Sequence, residues 1–411
     1  MGDIERLRDV VQRIPIIDNH GHNLLLRTEI DSHPFHLITT EAQGEALEDA
    51  FTSLSNLRAC KLLKELYEDE GPDEEWTWER LLEVRKEWVN SRWDELNRKC
   101  LEGTHAILMD DGLSLGDKVY PYQWHDSLTK APTSRIVRIE REAELITQDL
   151  LATATAQDVQ SEEFCNDIYH SFTEIFDRAI REWSGDSLVV GLKSVICYRS
   201  GLDVNPNYDA VVQQVREPFK HYVYHAVTNA DDPRRLRFDC KPLNDYLLLK
   251  TLRVLSEHDR PKPMQFHTGL GDNDMSLLHS NPAHLQPLIE AYPSVPFVLL
   301  HSAYPYTQEA GYLATVFKNV YLDLGEVFPM ISKDGQEEVV RQAMELTPAS
   351  KLLWSTDGNL FAERYWLANK QFREVLEQVR RFFVYLILLL ATQFHVVKNF
   401  RYFPCSPRHE R

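Results

Sequence analysis

Short apolar runs recur along this chain, and each one is followed by polar residues and a longer connecting segment. The first run, PIIDNHGH, covers residues 15–22. Seven more runs follow it, at 105–112, 135–142, 188–201, 263–269, 295–305, 319–329 and 351–359. Segments whose apolar residues recur every three or four positions lie between them, at 41–101, 156–184, 207–260, 282–292, 307–318 and 335–347. This pattern predicts eight strands that alternate with helices.

The alternation of strands and helices is typical of an α/β protein with a parallel sheet. Parallel strands are buried on both faces by their connecting helices, and they therefore read as continuous apolar runs. Eight strand–helix units in one chain favour a closed (β/α)8 TIM barrel over an open sheet. In such a barrel, functional residues are expected at the ends of the strands.

The connection after the first strand is much longer than a simple barrel loop. Residues 41–101 have helical spacing, with a break at 68–76. We therefore predict a helical insertion over about 35–102 that caps the mouth of the barrel. Long insertions are often functional lids, and a purely structural extension is an equally favoured interpretation.

The last part of the chain differs from the rest in composition. The barrel is predicted over residues 1–378, and residues 379–411 form an atypical apolar and basic tail. The apolar run at 382–391 is shorter than the roughly 20 residues that a bilayer span needs. Because Gln393 and His395 interrupt its continuation, a buried terminal helix is favoured over a membrane anchor.

Composition and charge narrow the classes of function. The chain has 411 residues, of which 43% are hydrophobic, and it can therefore fill a large core. Its formal charge of -18 argues against binding to nucleic acid or to an anionic membrane. Six scattered cysteines without a CxxC pair are typical of a reduced, cytoplasmic protein. The expected partner is a small-molecule substrate, and homo-oligomer formation is left open.

Polar residues that suit a metal ion end four of the predicted strands. His20 and His22 end the first strand and share one of its faces, because side chains alternate along a strand. His267 ends strand five, His301 ends strand six and Asp357 ends strand eight. A single histidine is more often an ordinary buried polar residue. Their joint occurrence at strand ends favours one shared site.

These side chains have the chemistry of a catalytic zinc site. Imidazole and carboxylate groups ligate zinc and other first-row divalent ions. Bound zinc lowers the pKa of its water to about 7, so that hydroxide is available at neutral pH. Asp357 is suited to ligate the metal and to accept a proton. His301 is suited either to be a second ligand or to polarise the substrate and transfer protons. Asp18 is expected one layer deeper, where it would orient a ligand.

The same residues carry a resemblance to the amidohydrolase superfamily. The motifs HGH at 20–22, QFHTG at 265–269, LLHSAYP at 299–305 and WSTDGN at 354–359 occur in the order typical of that superfamily. Within it, the chain most resembles the amidohydrolase-related, FluG-like group, over roughly residues 5–378. The resemblance implies a metal-dependent hydrolase on a TIM barrel, with polar site residues on strands one, five, six and eight.

The end of strand four departs from the pattern of the superfamily. Two-metal members usually carry a carboxylated lysine or a glutamate there, whereas Arg199 ends the strand predicted here. Lys193 lies six residues earlier, about 20 Å deeper in an extended strand, unless a bulge or an early strand end shortens the gap. A carbamylated Lys193 with a second metal at His301 is therefore the less favoured alternative. The favoured site holds one metal, and its predicted ligands are His20, His22, His267 and Asp357.

The predicted function is hydrolysis of an amide-type C–N bond in a small molecule that carries a carboxylate. Arg199 would bind that carboxylate bidentately. An ion pair with a structural acid, such as Asp110, Asp111 or Glu326, is an equally favoured role for this arginine. The alternative enzyme is a non-oxidative, metal-dependent decarboxylase of the same superfamily. The alternative from another class is a catalytically inactive, FluG-like signalling or scaffold protein.

Overall fold

Eight parallel strands form the centre of the molecule in a computed structural model, which describes residues 9–232 and 234–379. Each strand pairs with the next one in sequence, from β1 to β8. The strands are β1 Ile16–Gly21, β2 Thr104–Asp110, β3 Ser134–Arg138, β4 Val189–Ser194, β5 Met264–Phe266, β6 Phe297–Leu299, β7 Val320–Asp323 and β8 Leu352–Leu353. All eight predicted strands are present, although each of them is shorter than predicted.

Backbone hydrogen bonds between the first and last strand regions bring the two edges of the sheet together. Asn19 N donates to the carbonyl of Trp354 at 2.9 Å, and Asp357 N donates to the carbonyl of His20 at 3.0 Å. The strand-like contact therefore continues beyond the two-residue β8. The (β/α)8 TIM barrel predicted from the apolar runs is confirmed.

Helices surround the barrel and build the insertion after β1. The insertion contains 3-10 turns at Phe35–Thr39 and Gly44–Thr52, and the helices Leu54–Leu66, Trp78–Ser91 and Trp93–Cys100. The later helices of eight or more residues are Ile139–Leu150, Glu162–Gly185, Tyr208–Thr228, Lys241–Ser256, Thr307–Val316, Lys333–Leu346 and Ala362–Val379. Short helices at Gln286–Ala291 and Val327–Met330 complete the connections in the described chain.

Two large apolar clusters hold these layers together. One lies between the barrel and its outer helices and contains Phe172, Phe176 and Phe219. The other joins the insertion to the helix Ala362–Val379 and contains Leu63 and Trp88. Burial of each such side chain contributes roughly 1.5–3 kcal/mol. The insertion is thus packed against the barrel on the side where the strands end.

Strand four ends earlier than the apolar run predicts, and this corrects the position of two residues. β4 stops at Ser194, and Ile196–Tyr198 forms a 3-10 turn. The side chain of Glu140 accepts hydrogen bonds from Ser194 Oγ at 2.5 Å and from Val195 N at 3.1 Å, and this contact turns the chain. The expectation that Arg199 ends the strand, with Lys193 far below it, is therefore wrong. Lys193 lies at the strand end.

The predictions for the tail cannot be placed on this structure. The apolar run 382–391 and the rest of the segment 380–411 lie outside the described residues. Within the part of the chain that the structure describes, no helix combines the length and the apolar character needed to cross a membrane.

Candidate metal centre

A cavity of about 560 Å³ opens where the strands end. Its wall contains side chains from several strand ends, namely His22, Lys193, His267, His301, Glu326 and Asp357. The insertion covers part of it with Leu37, Glu41 and Gln43. Glu41 accepts a hydrogen bond from Arg364 at 3.1 Å, and Gln43 donates to Asp272 at 3.0 Å. The insertion therefore forms part of the site.

His20 is held in the form that leaves one ring nitrogen unprotonated. Gln265 donates its amide N–H to the carbonyl of Asn19 at 2.9 Å, so its amide oxygen faces Nδ1 of His20, also at 2.9 Å. Nδ1 must then carry the hydrogen of the neutral imidazole, and Nε2 keeps its lone pair. This is the arrangement of a metal-ligating histidine and its outer partner.

His22 is held in the same form through backbone groups. Its Nδ1 lies 2.7 Å from the carbonyl oxygen of Asp110, which can only accept, so Nε2 again keeps the lone pair. The hydroxyl of Tyr365 accepts from His22 N at 3.0 Å and donates to His22 O at 2.5 Å. Tyr365 thus holds the backbone of His22 at both its N–H and its carbonyl.

The two unprotonated ring nitrogens face one carboxylate oxygen, and the ammonium of Lys193 lies 2.8 Å from the nitrogen of His20. Oδ1 of Asp357 lies 3.5 Å from Nε2 of His20 and 3.4 Å from Nε2 of His22. Two lone pairs that face a carboxylate oxygen repel it unless a proton or a cation lies between them. These three side chains therefore have the composition and the orientation of a divalent-cation site.

Lys193 lies inside the same cluster. Its ammonium nitrogen is 2.8 Å from Nε2 of His20 and 3.4 Å from Oδ2 of Asp110. Asp110 also accepts from Arg138 at 2.6 Å. Burial lowers the pKa of Lys193 from its usual value, against the opposing attraction of Asp110. The lysine thus belongs to the site, in contrast to the deeper position expected from the sequence.

His267 and His301 lie together in the cavity, with ring centroids 4.3 Å apart, and the ring of His301 is also 5.6 Å from that of His20. His267 donates from Nε2 to the carbonyl of Leu270 at 2.8 Å, so its free lone pair is on Nδ1, 3.2 Å from the hydroxyl of Tyr198. Neither ring nitrogen of His301 makes a hydrogen bond. Among the described residues, no group of three potential ligand atoms within 4.8 Å of one another joins His267 to His20 or His22.

Burial sets the protonation of these groups near neutral pH. Desolvation lowers the pKa of His20 and of His301 well below the usual value, and that of His267 to about 3. Desolvation acts in the other direction on Asp357, but His301, His22 and Arg364 outweigh it and hold the pKa of this carboxyl well below its usual range. Neutral imidazoles and an ionised carboxylate are the forms that bind metals.

Arg199 lines the cavity from the loop that follows β4. Its Nη1 donates to Glu144 at 2.8 Å. This acid is not among the partners considered from the sequence. The arginine therefore combines a structural ion pair with a place on the wall of the cavity.

Comparisons with known proteins agree with this geometry. A family model described as amidohydrolase matches residues 219–385. Protein fluG from Emericella nidulans is 46% identical over 386 residues, which is 92% of this chain. The chain belongs to the amidohydrolase superfamily. The 46% identity confirms the resemblance to the FluG-like group. This chain spans 44% of the length of the FluG protein.

Solved structures share the fold of this amidohydrolase-superfamily chain. A crystal structure of a protein from Lactobacillus casei ATCC 334, proposed to be a metal-dependent hydrolase, is 25% identical with a TM-score of 0.71. The match covers 90% of this chain and 89% of that one. A uronate isomerase from Bacillus halodurans C-125 is 14% identical with a TM-score of 0.56, over 96% of this chain and 90% of that one. The second likeness supports the barrel alone.

Several functional residues of this superfamily member were not identified from the sequence. Gln265 contacts the ring of His20, and Tyr365 holds the backbone of His22. Arg364 donates from Nη2 to Oδ2 of Asp357 at 3.1 Å. Glu326 follows β7 and lies 3.2 Å from Nδ1 of His301. Its place at a strand end was a usable signal, although the sequence suggested only a pair with Arg199.

Proposed function

We propose that this chain is a metal-dependent hydrolase that cleaves an amide-type C–N bond in a small substrate bearing a carboxylate. The observation that carries the proposal is the convergence of two imidazole lone pairs on Asp357, at 3.4 and 3.5 Å, inside a cavity large enough for a small molecule. Superfamily membership supports a metal-dependent reaction of this kind.

The residues present fit one divalent cation, and zinc is the metal we favour. His20, His22 and Asp357 would hold it, with His301 close by, since His20, His301 and Asp357 also offer ligand atoms within 4.8 Å of one another. A bound zinc supplies a Lewis acid and a water with a pKa near 7. His267, whose ring is next to that of His301, remains a proposed ligand.

The side chains of the chain itself would position the substrate and transfer the proton. Asp357 is ionised and held by Arg364, so its Oδ1 can accept a proton from the attacking water. His301 is proposed to transfer that proton to the departing amine nitrogen and to polarise the carbonyl. Arg199 is proposed to bind the substrate carboxylate because it lies on the wall of the same cavity.

Metal analysis of the purified protein tests this proposal. We expect stoichiometric zinc in the wild type, and loss of that zinc in the His20→Ala, His22→Ala double variant with the fold retained by circular dichroism. A folded wild type without metal, under metal-replete conditions, would overturn the proposal. In substrate screens, we expect the protein to release amines from N-acyl or γ-glutamyl amides. Release of CO2 from aromatic carboxylic acids instead would favour the decarboxylase.

A further inference from the structure

The charged side chains on the wall of the cavity are largely separated by sign. Because the strands of the closed barrel follow one another in order, β3 and β4 lie opposite β7 and β8. The basic side chains come from β3, β4 and the connection after β4, namely Arg138, Lys193, Arg199 and Arg237. The acidic ones come from the insertion and from the chain after β5, namely Glu41, Asp272, Asp274, Glu326 and Asp357. Arg364, which follows β8, is the exception. Such a cavity is complementary to a molecule that carries both a negative and a positive group.

Glu326 is a buried carboxylate on the acidic side without a cationic partner. The residue is 2% exposed, its Oε2 makes no hydrogen bond, and no lysine or arginine among the described residues pairs with it. Nδ1 of His301 lies 3.2 Å from Oε2 but makes no hydrogen bond, and this imidazole is neutral near pH 7. Asp274 on the same wall, in contrast, pairs with Arg237 at 2.8 Å. Buried charges in proteins are normally paired, so an unpaired carboxylate that faces a cavity points to a cationic ligand.

Glu41 brings a second carboxylate from the insertion to the acidic side. It accepts a hydrogen bond from Nη2 of Arg364 at 3.1 Å, but the same nitrogen also donates to Asp357 at 3.1 Å. Desolvation raises the pKa of Glu41 to about 7 against the attraction of Arg364, and repulsion by Asp272 and Asp357 adds to the rise. One guanidinium therefore does not offset the negative charge on this side of the cavity. A cation bound there would offset it.

We propose that Glu326 and Glu41 bind an ammonium group of the substrate, so that the substrate is a zwitterionic amide with a free amino group and a carboxylate. An ammonium group has three N–H donors, and its hydrogen bonds to carboxylates are about twice as strong as neutral ones. Glu326 is next to His301, which is proposed to polarise the scissile carbonyl, so the amino group would lie close to that bond. Arg199, on the basic side, would bind the carboxylate. The inference rests on the proposed function and narrows its substrates to amino-acid derivatives.

Matched pairs of amides that differ only in the amino group test the proposal. L-alanyl-L-alanine is compared with N-propionyl-L-alanine, and γ-glutamyl-L-alanine with glutaryl-L-alanine, on the zinc-loaded full chain. In at least one pair, we expect kcat/KM of the amino-bearing amide to exceed that of its analogue by at least about 30-fold. Glu326→Gln should reduce this preference to less than about threefold. Asp274→Asn is the matched control and should keep the preference, because this cavity carboxylate already pairs with Arg237.

A second variant and a binding measurement keep the test decisive if Glu326→Gln does not fold or turnover is slow. Glu41→Gln changes a side chain that is 24% exposed, and it should lower the preference at least about fivefold. Calorimetric titration of the same four amides should show the wild-type preference in the dissociation constants.

The outcomes separate this subsite from the proposed function. Equal binding and turnover within both pairs, or no binding and no turnover of any of the four amides, would overturn the subsite. Loss of bound zinc in Glu326→Gln would also overturn it, since that result would assign the carboxylate to a metal. Each of these results on a zinc-loaded wild type leaves metal binding intact, whereas a folded wild type without zinc would overturn the proposed function itself.

Discussion

The imidazoles of the HGH motif owe their ligand form to neighbours that hold their other nitrogen. Gln265 fixes the tautomer of His20, and the carbonyl of Asp110 fixes that of His22. Tyr365 holds the backbone of His22 through both its N–H and its carbonyl. A ligand that is held in its binding form pays less conformational entropy when the metal binds.

Replacement of Tyr365 by phenylalanine should weaken both the fold and the metal site. The change leaves the buried carbonyl of His22 without its hydroxyl donor, which costs about 1–3 kcal/mol, whereas His22 N keeps its hydrogen bond to the carbonyl of Gly358. We also expect zinc affinity to fall about 10-fold or more, as for other outer-shell changes. Urea unfolding and zinc titration measure the two effects. Tyr306→Phe, which removes a surface hydrogen bond to Leu277, is the control, and equal losses in both variants would contradict this role.

His125 should make the stability of the protein depend on pH below neutrality. This residue is fully buried, its Nε2 accepts from Leu24 N at 3.3 Å, and desolvation lowers its pKa to about 4. The unfolded chain protonates this histidine near pH 6.5, so it binds more protons than the folded chain between the two values. Stability therefore falls as the pH falls from about 6.5 towards 4.

The His125→Gln variant isolates this contribution. It is less stable than the wild type at neutral pH because the packing and hydrogen bonds of the ring are lost. The difference between the two proteins should shrink by about 2 kcal/mol between about pH 7.5 and pH 5, since only the wild type pays to keep the ring neutral. Chemical unfolding at several pH values measures it. A constant difference would show that His125 does not titrate with unfolding.

At the scale of elements, one buried ion pair joins the insertion to the helix that follows β8. Glu363, at the start of Ala362–Val379, accepts from Arg85 and from Tyr67 of the insertion, each at 2.7 Å. The guanidinium of Arg85 also lies 4.0 Å from the ring centroid of Phe35. The next residue, Arg364, holds Asp357. The insertion is therefore coupled to the candidate metal centre through two consecutive residues.

The Glu363→Gln substitution should destabilise the protein strongly. It leaves the charge of Arg85 buried without its partner, which typically costs about 3–5 kcal/mol. Glu374→Gln on the same helix is the control, because its pair with Arg58 is partly exposed and should contribute less than about 1 kcal/mol. Denaturant unfolding compares the two variants. Similar losses in both would show that the buried pair does not couple the insertion to the barrel.

At the scale of the whole molecule, the metal site joins strands that are far apart in sequence. β1 provides His20 and His22, and the segment after β8 provides Asp357, so a bound cation would link the first and last parts of the barrel. The same two regions are joined by the hydrogen bond from Asp357 N to His20 O. Metal binding and closure of the barrel are thus expected to stabilise each other.

Removal of the metal should lower the melting temperature of the wild type. A ligand at about a thousand times its dissociation constant stabilises the folded state by about 4 kcal/mol. For a chain of this length, that corresponds to about 5 °C in Tm. Scanning calorimetry of stripped and zinc-reloaded protein measures the shift. The His20→Ala, His22→Ala variant should show a smaller shift, and an undiminished one would place the stabilising zinc elsewhere.

The sequence by itself determined the fold class and most of the strand-end chemistry. Buried parallel strands require local apolar runs, and this local requirement marks eight strands and the polar residues that end them. HGH and the later motifs were recognisable for that reason. The order of these motifs along the chain also indicated the resemblance to the amidohydrolase superfamily.

Only the tertiary structure decided where β4 ends and which charged side chains contact one another. β4 ends at Ser194, where Glu140, from another segment, accepts the hydrogen bond of Val195 N that a continued strand would give to its neighbour, and Lys193 therefore lies in the site. Glu326 likewise lines the cavity and lies 3.2 Å from Nδ1 of His301. These features depend on contacts between residues distant in sequence, and a local pattern does not contain them.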